Sequence, residues 1–154
     1  MFDEFKEPLS IFNARGVRYL VVGGYAVSLH AQPRSTQDID IFIAADFENA
    51  AAVFDALREF GAPLEGLTPS DFAERGKFFR MGRAPLAVDV LLDITGIDFE
   101  KAWRNRIEAT VDPGSGLKAF FISREDLIAN KVASGRPQDV ADASALRNVK
   151  ELGH

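Results

Sequence analysis

Residues 38–43, Asp-Ile-Asp-Ile-Phe-Ile, set carboxylates at alternate positions of a run that otherwise reads as core. Alternation at period two signals a β-strand, so Asp38 to Ile43 is expected to form one. Residues i and i+2 of a strand share a face and stand roughly 6.5–7 Å apart. Ile39, Ile41 and Ile43 then turn toward a core, while Asp38 and Asp40 point the other way together. Two carboxylates so placed repel, and raise each other's pKa, unless a cation lies between them. The pair is either a solvated strand face or half of a cation site. A calcium loop does not suit it: the EF-hand pattern needs a third oxygen ligand and then a glycine, and Phe42 and Ile43 stand there.

A third carboxylate favours the cation site. The run Leu86 to Ile94 ("LAVDVLLDI") holds Asp89 between Val88 and Val90. On a neighbouring strand Asp89 could face the same groove. Asp93 is its rival, though its place at the end of the run equally suits a turn. Three converging carboxylates form an oxygen-rich site suited to Mg²⁺, which takes carboxylates plus substrate phosphates. Two such ions stabilise both the attacking and the leaving oxygen of a phosphoryl displacement. Upstream, "VRYLVV" ends in Gly23-Gly24. Such a pair is most often a turn, but between a strand and a helix it also lets backbone N–H groups approach a phosphate. No GxxxxGK is present, so a P-loop is ruled out.

Around these motifs the elements alternate. Phe2 to Ala14 carries Phe2, Phe5, Leu9 and Phe12 at helical spacing. Val17 to Val22 reads as a strand, and "YAVSLHA" as a short helix after the glycine turn. A helix is expected from Asp46 as N-cap to Gly61 as stop. Residues 62–76 read as loop. "KFFRM" and "LAVDVLLDI" suggest strands, "DFEKAWRN" a helical turn, and "RIEATV" with "LKAFFI" a strand pair. Ser123 and Asp126 have capping-box spacing; Gly135 ends that helix, and Pro137 opens the last one. The fold class is therefore α/β (α+β), a mixed β-sheet flanked by helices.

With 154 residues, 47% of them apolar, the chain suits one domain spanning 1–154, with a helical C-terminal segment at 123–150. Cysteine is absent, which excludes disulfides and thiolate zinc, and the two histidines stand far apart. The N-terminal stretch lacks a basic region followed by a long apolar one, and the longest apolar run is too short for a bilayer. A cytoplasmic protein without membrane contact is the expectation. The net charge of −5 argues against broad nucleic-acid binding through phosphates.

A strand ending in Gly-Gly, a short helix, Asp-x-Asp on the next strand and a later lone carboxylate resemble the DNA polymerase beta-like nucleotidyltransferase superfamily. "GGYAVSLHAQPRSTQDIDIFI" is most similar to the AbiEii-like group and to the minimal nucleotidyltransferases of bacterial toxin–antitoxin pairs. Those carry R-x-T-x-D-[IL]-D, matched by Arg34, Thr36, Asp38 and Asp40. The segment "DLIANKVASGRPQDVADASAL" resembles that group's C-terminal pattern through Lys131, Arg136, Asp139, Asp142 and Leu146. The likeness spans about Val17 to Leu146.

The resemblance implies a metal-dependent nucleotidyltransferase moving an NMP from an NTP, ATP foremost, to a hydroxyl. It implies two Mg²⁺ ions, or Mn²⁺, on Asp38, Asp40 and Asp89, with Asp89 also activating the hydroxyl. Gly23 and Gly24 would cradle the triphosphate, Arg34, Ser35 and Thr36 would touch phosphates, and Lys131 would neutralise the leaving pyrophosphate. The acceptor could be a protein, a small molecule or, less favoured, RNA. The alternative is a catalytically silent nucleotidyltransferase-fold antitoxin or adaptor that masks a cognate partner, with Phe78, Phe79, Trp103, Phe120 or Phe121 as its contact patch.

Overall fold

The computed structural model describes residues 1–33, 35–82 and 85–149. Arg34, expected at the phosphates, lies outside the described residues.

Helix α1 (Asp3–Ala14) buries Phe5, Leu9 and Phe12, the apolar stripe read from its spacing. Strand β1 (Tyr19–Val22) follows, buried along its length, and runs directly into α2 (Gly23–His30). Gly23 and Gly24 thus belong to the first turn of the helix rather than to a separate turn before it. Strand β2 spans Asp38–Ile43, and α3 (Phe47–Phe60) has both expected ends: Asp46 Oδ1 accepts the Asn49 N–H at 2.8 Å, and Gly61 takes a left-handed φ of 92°. The 62–76 stretch holds a 3-10 turn at Pro69–Ala73, which seats Phe72 in the core.

Strands β3 (Phe78–Met81) and β4 (Ala87–Leu91), helix α4 (Phe99–Arg104), strands β5 (Ile107–Asp112) and β6 (Leu117–Phe121), and helices α5 (Arg124–Ser134) and α6 (Pro137–Arg147) complete the described chain. The strands form one six-stranded mixed sheet in the order β3-β4-β2-β1-β6-β5. β2 runs antiparallel to β1 and parallel to β4, while β3 and β5 form the two edges.

Hydrophobic burial fixes the register of β2. Ile39, Ile41 and Ile43 are fully buried, each worth about 1.5–3 kcal/mol. A one-residue slip would carry all three to the opposite face and bring the aspartates inward. The aspartate face is polar only at its start, for Phe42 shares it and packs edge-on against Phe99 of α4 at 5.0 Å. The groove is therefore confined to the Asp38–Asp40 end of the strand.

Candidate active site

Strand pairing brings the carboxylates together. Asp40 of β2 faces Val22 of β1 on one side and Asp89 of β4 on the other. Arg80 of β3 then faces Asp89. Val22, Asp40, Asp89 and Arg80 form one row across four strands, each about 4.8 Å from the next. Asp38 stands two residues ahead of Asp40 on the same face.

Burial and the neighbouring carboxylates of Asp89 and Asp38 push the Asp40 carboxyl up to about 7, with the Lys131 ammonium pulling the other way. A carboxyl so displaced lacks sufficient positive charge nearby. Gly23 closes the other side of Asp40. Its φ is +66°, and a Cβ there would stand 2.1 Å from Asp40 Oδ2. Only glycine permits both the backbone angle and that approach. The first-turn N–H groups of α2, starting at Gly23 and Gly24, thus adjoin the carboxylates, where a helix N-terminus favours anions.

A groove of about 190 Å³ runs from Gly23 and Asp40, past Leu91, to Lys131, Arg136 and Asp139. Lys131 comes from α5, whose start is fixed by Ser123: its Oγ accepts the Asp126 N–H at 3.1 Å, and Gly135 ends the helix with a φ of 69°. The Lys131 ammonium is buried between two carboxylates of α6, 3.4 Å from Asp139 Oδ1 and 3.2 Å from Asp142 Oδ2. Arg136 donates to Asp139 Oδ2 at 2.8 Å, and Gln138 to Asp142 Oδ1 at 2.8 Å. The Arg136 hydrogen bond, more than any other contact, holds the Asp139 carboxyl below its ordinary range.

Other expected residues lie elsewhere. Ser35 and Thr36 line a separate surface cavity with Met1, Phe2 and Tyr25, and Thr36 Oγ1 donates to the Asp38 carbonyl at 3.1 Å. Asp93 is exposed and accepts the Gly76 N–H at 2.6 Å, a loop tether outside the carboxylate row. Of the five aromatics considered for a contact patch, Phe78 alone is largely exposed, at 64%. Phe79 packs on Phe72, Trp103 on Phe120, and Phe121 is buried.

Arg80 went unread in the sequence. Its Nε and Nη2 each stand 2.9 Å from an oxygen of Asp89, and Nη2 lies 3.5 Å from Asp38 Oδ2. The alternation of "KFFRM", with Phe78 and Arg80 on one face and Phe79 and Met81 on the other, was the available signal, but the identity of Arg80's partner depends on strand pairing. Among the described residues, no three carboxylates or histidines form a ready cage for a metal. The donor set still fits a hard divalent cation: it is all oxygen and carboxylate, and a guanidinium stands in for the positive charge. Asp38, Asp40 and Asp89 would hold such an ion.

A mixed sheet with a glycine-opened helix beside an Asp-x-Asp strand, and a third carboxylate on the parallel neighbour, defines a nucleotidyltransferase fold. The chain belongs to the family described as nucleotidyltransferase of unknown function (DUF6036), whose model matches residues 2–153. The lincosamide antibiotic adenylyltransferase LnuA, solved with lincomycin bound, superposes with a TM-score of 0.60 at 20% identity, over 97% of this chain and 98% of LnuA. ANT(2")-Ia, solved with adenylyl-2"-tobramycin, gives 0.58 at 15% identity, over 92% and 84%. TM1012 of Thermotoga maritima gives 0.57 at 18%, over 93% and 88%. At these identities the likeness is one of fold. Among curated proteins none matches the chain. Among the described residues, no helix is long and apolar enough to cross a membrane.

Proposed function

We propose that the chain transfers a nucleoside monophosphate from an NTP, preferentially ATP, to a hydroxyl in a divalent-cation-dependent reaction. The observation carrying this reading is the row that sets Asp40 beside Asp89, with Asp38 on the same face. When bound, Mg²⁺ or Mn²⁺ would neutralise charge on the phosphates and on the displaced pyrophosphate. The chain's own residues supply the rest. The α2 N-terminus receives phosphate oxygens, Lys131 and Arg136 line the groove as hydrogen-bond donors whose charge Asp139 and Asp142 already offset, and Asp89 takes up the proton of the incoming hydroxyl.

A small hydroxylated molecule is the acceptor we favour. LnuA was solved with lincomycin and ANT(2")-Ia with an adenylylated tobramycin, and this chain matches LnuA over nearly its whole length. A protein hydroxyl remains the acceptor under the AbiEii-like and minimal-nucleotidyltransferase reading, with a toxin or antitoxin as cognate partner. The second reading, a silent adaptor acting by protein binding, draws on Arg80, whose fork holds both oxygens of Asp89.

The test is label transfer from α-³²P-NTPs to a panel of aminoglycosides, lincosamides and co-expressed proteins. The enzyme reading expects transfer by the wild type and none by Asp38→Asn or Asp40→Asn at unchanged fold. Transfer retained by either variant overturns the assignment of the carboxylates. Mn²⁺ with a non-hydrolysable ATP analogue should also raise the Tm, by mass action.

A further inference from the structure

We propose that Arg80 is a built-in counter-cation that occupies the carboxylate site in the unloaded protein and must leave Asp89 before a divalent ion can enter. This rests on the reading of Asp38, Asp40 and Asp89 as cation ligands, and adds to it how the site is kept closed.

The contacts are mutually exclusive with metal binding. A guanidinium fork on a carboxylate uses both oxygens in one plane. Arg80 does so on Asp89 at 2.9 Å and 2.9 Å, and its Nη2 reaches Asp38 at 3.5 Å. A divalent ion shared by Asp89 and Asp38 would need the same lone pairs and the same space. Such an ion would also stand close to the positive charge of the guanidinium while Arg80 remained in place.

The two ends of the pair differ in freedom. The Asp89 side chain is 10% exposed and held in the row between β2 and β3, whereas that of Arg80 is 60% exposed on the sheet's edge strand. Asp89 cannot follow the arginine, but the arginine can withdraw into solvent without breaking any core contact. The exposed guanidinium loses little on withdrawing, because water takes over its donors, while the buried carboxylate left unpaired does cost. Opening is therefore favourable only when another cation takes the place of Arg80. In both states Asp89 keeps a cation beside it, and the pair behaves as a two-position switch. A ligand that binds the open state alone has its apparent affinity reduced by the fraction of time the site is open.

The experiment titrates Mn²⁺ alone, by the EPR signal of the free ion, into the wild type, Arg80→Gln, Arg80→Lys and Asp89→Asn. Circular dichroism and Tm are recorded for each protein. Both Arg80 variants should bind Mn²⁺ more tightly than the wild type, by about tenfold if the fork is closed nine times in ten. Arg80→Lys separates the switch from simple electrostatics, because it keeps the charge but loses the fork. A lysine variant that binds like the wild type, or variants that bind more weakly, would overturn the switch while leaving the carboxylate site intact. If no protein binds Mn²⁺, or Asp89→Asn binds as well as the wild type, the carboxylate reading itself falls, and the switch with it.

Discussion

Gly23 and Asp40 are packed so closely that a methyl group on Gly23 would sit 2.1 Å from an Asp40 carboxylate oxygen. That contact joins the first turn of α2 to the carboxylate row, so the two cannot shift independently. Gly23→Ala meets two penalties: a side chain at φ +66° and a clash with a charged group. Together these should cost about 2–4 kcal/mol, read as a lowered urea midpoint. Nucleotide-dependent Tm gain should vanish even where the variant is still folded. A variant as stable as the wild type would contradict the geometry.

Asp40 gives a pH signature. Its carboxyl is raised to about 7 in the folded protein, chiefly by burial, from 3.8. Folding thus favours the protonated form. The contribution is complete below about 3.8 and is lost as pH rises through about 7, where the native state must ionise a buried carboxyl. Asp40→Asn removes that loss. With EDTA present, the variant should be more stable than the wild type at pH 8, by on the order of a few kcal/mol. The gap should narrow toward pH 5. A gap independent of pH would count against a raised carboxyl.

The α5–α6 ion cluster predicts the opposite slope. Asp139 is buried, lies 3.4 Å from the Lys131 ammonium and accepts from Arg136. Asp139→Ala would leave the buried Lys131 with Asp142 alone, 3.2 Å away, at a cost of about 1.5–3 kcal/mol for the lost charged contact, short of that for a buried charge left wholly unpaired. Because its carboxyl is held below the ordinary 3.8, chiefly by the Arg136 hydrogen bond, its stabilisation is present above that value and lost as pH falls through the lower folded one. The variant should therefore be less stable at neutral pH and show a shallower acid limb. Thermal melts between pH 3 and 7 check both.

What could be read from the sequence was whatever is encoded locally. The ends of α3 and α5 follow from single residues, Asp46 and Gly61, Ser123 and Gly135, because caps act within one turn. The Asp38/Asp40 face followed from period two, and Asp89 from a charge inside an apolar run. The 3-10 turn at Pro69–Ala73 escaped, although Thr68 and Asp71 have capping-box spacing, because so short a segment carries no periodicity. Arg80 escaped for a deeper reason. Its meaning depends on β3 pairing with β4 in one register, and nothing within "KFFRM" states which residue it will face. Ser35 and Thr36 adjoin Asp38 in sequence yet line a different cavity with Met1, Phe2 and Tyr25, segments whose approach no local pattern states.

Asp89 and Asp93 compete in sequence for the role of third carboxylate, and their structural positions predict different losses. Asp89 stands in the row opposite Asp40, whereas Asp93 spends its charge on the Gly76 N–H at 2.6 Å. Asp93→Ala removes one charge-assisted hydrogen bond at an exposed site, worth about 1 kcal/mol, and leaves the groove unchanged. Asp89→Ala removes the carboxylate we propose as cation ligand and proton acceptor, and frees Arg80 to pair with Asp38. The first variant should transfer label at the wild-type rate with a Tm lowered by a few degrees. The second should transfer none. Single-turnover assays on both, at matched fractions folded, decide between the two carboxylates: an inactive Asp93→Ala beside an active Asp89→Ala would move the catalytic assignment four residues along the chain.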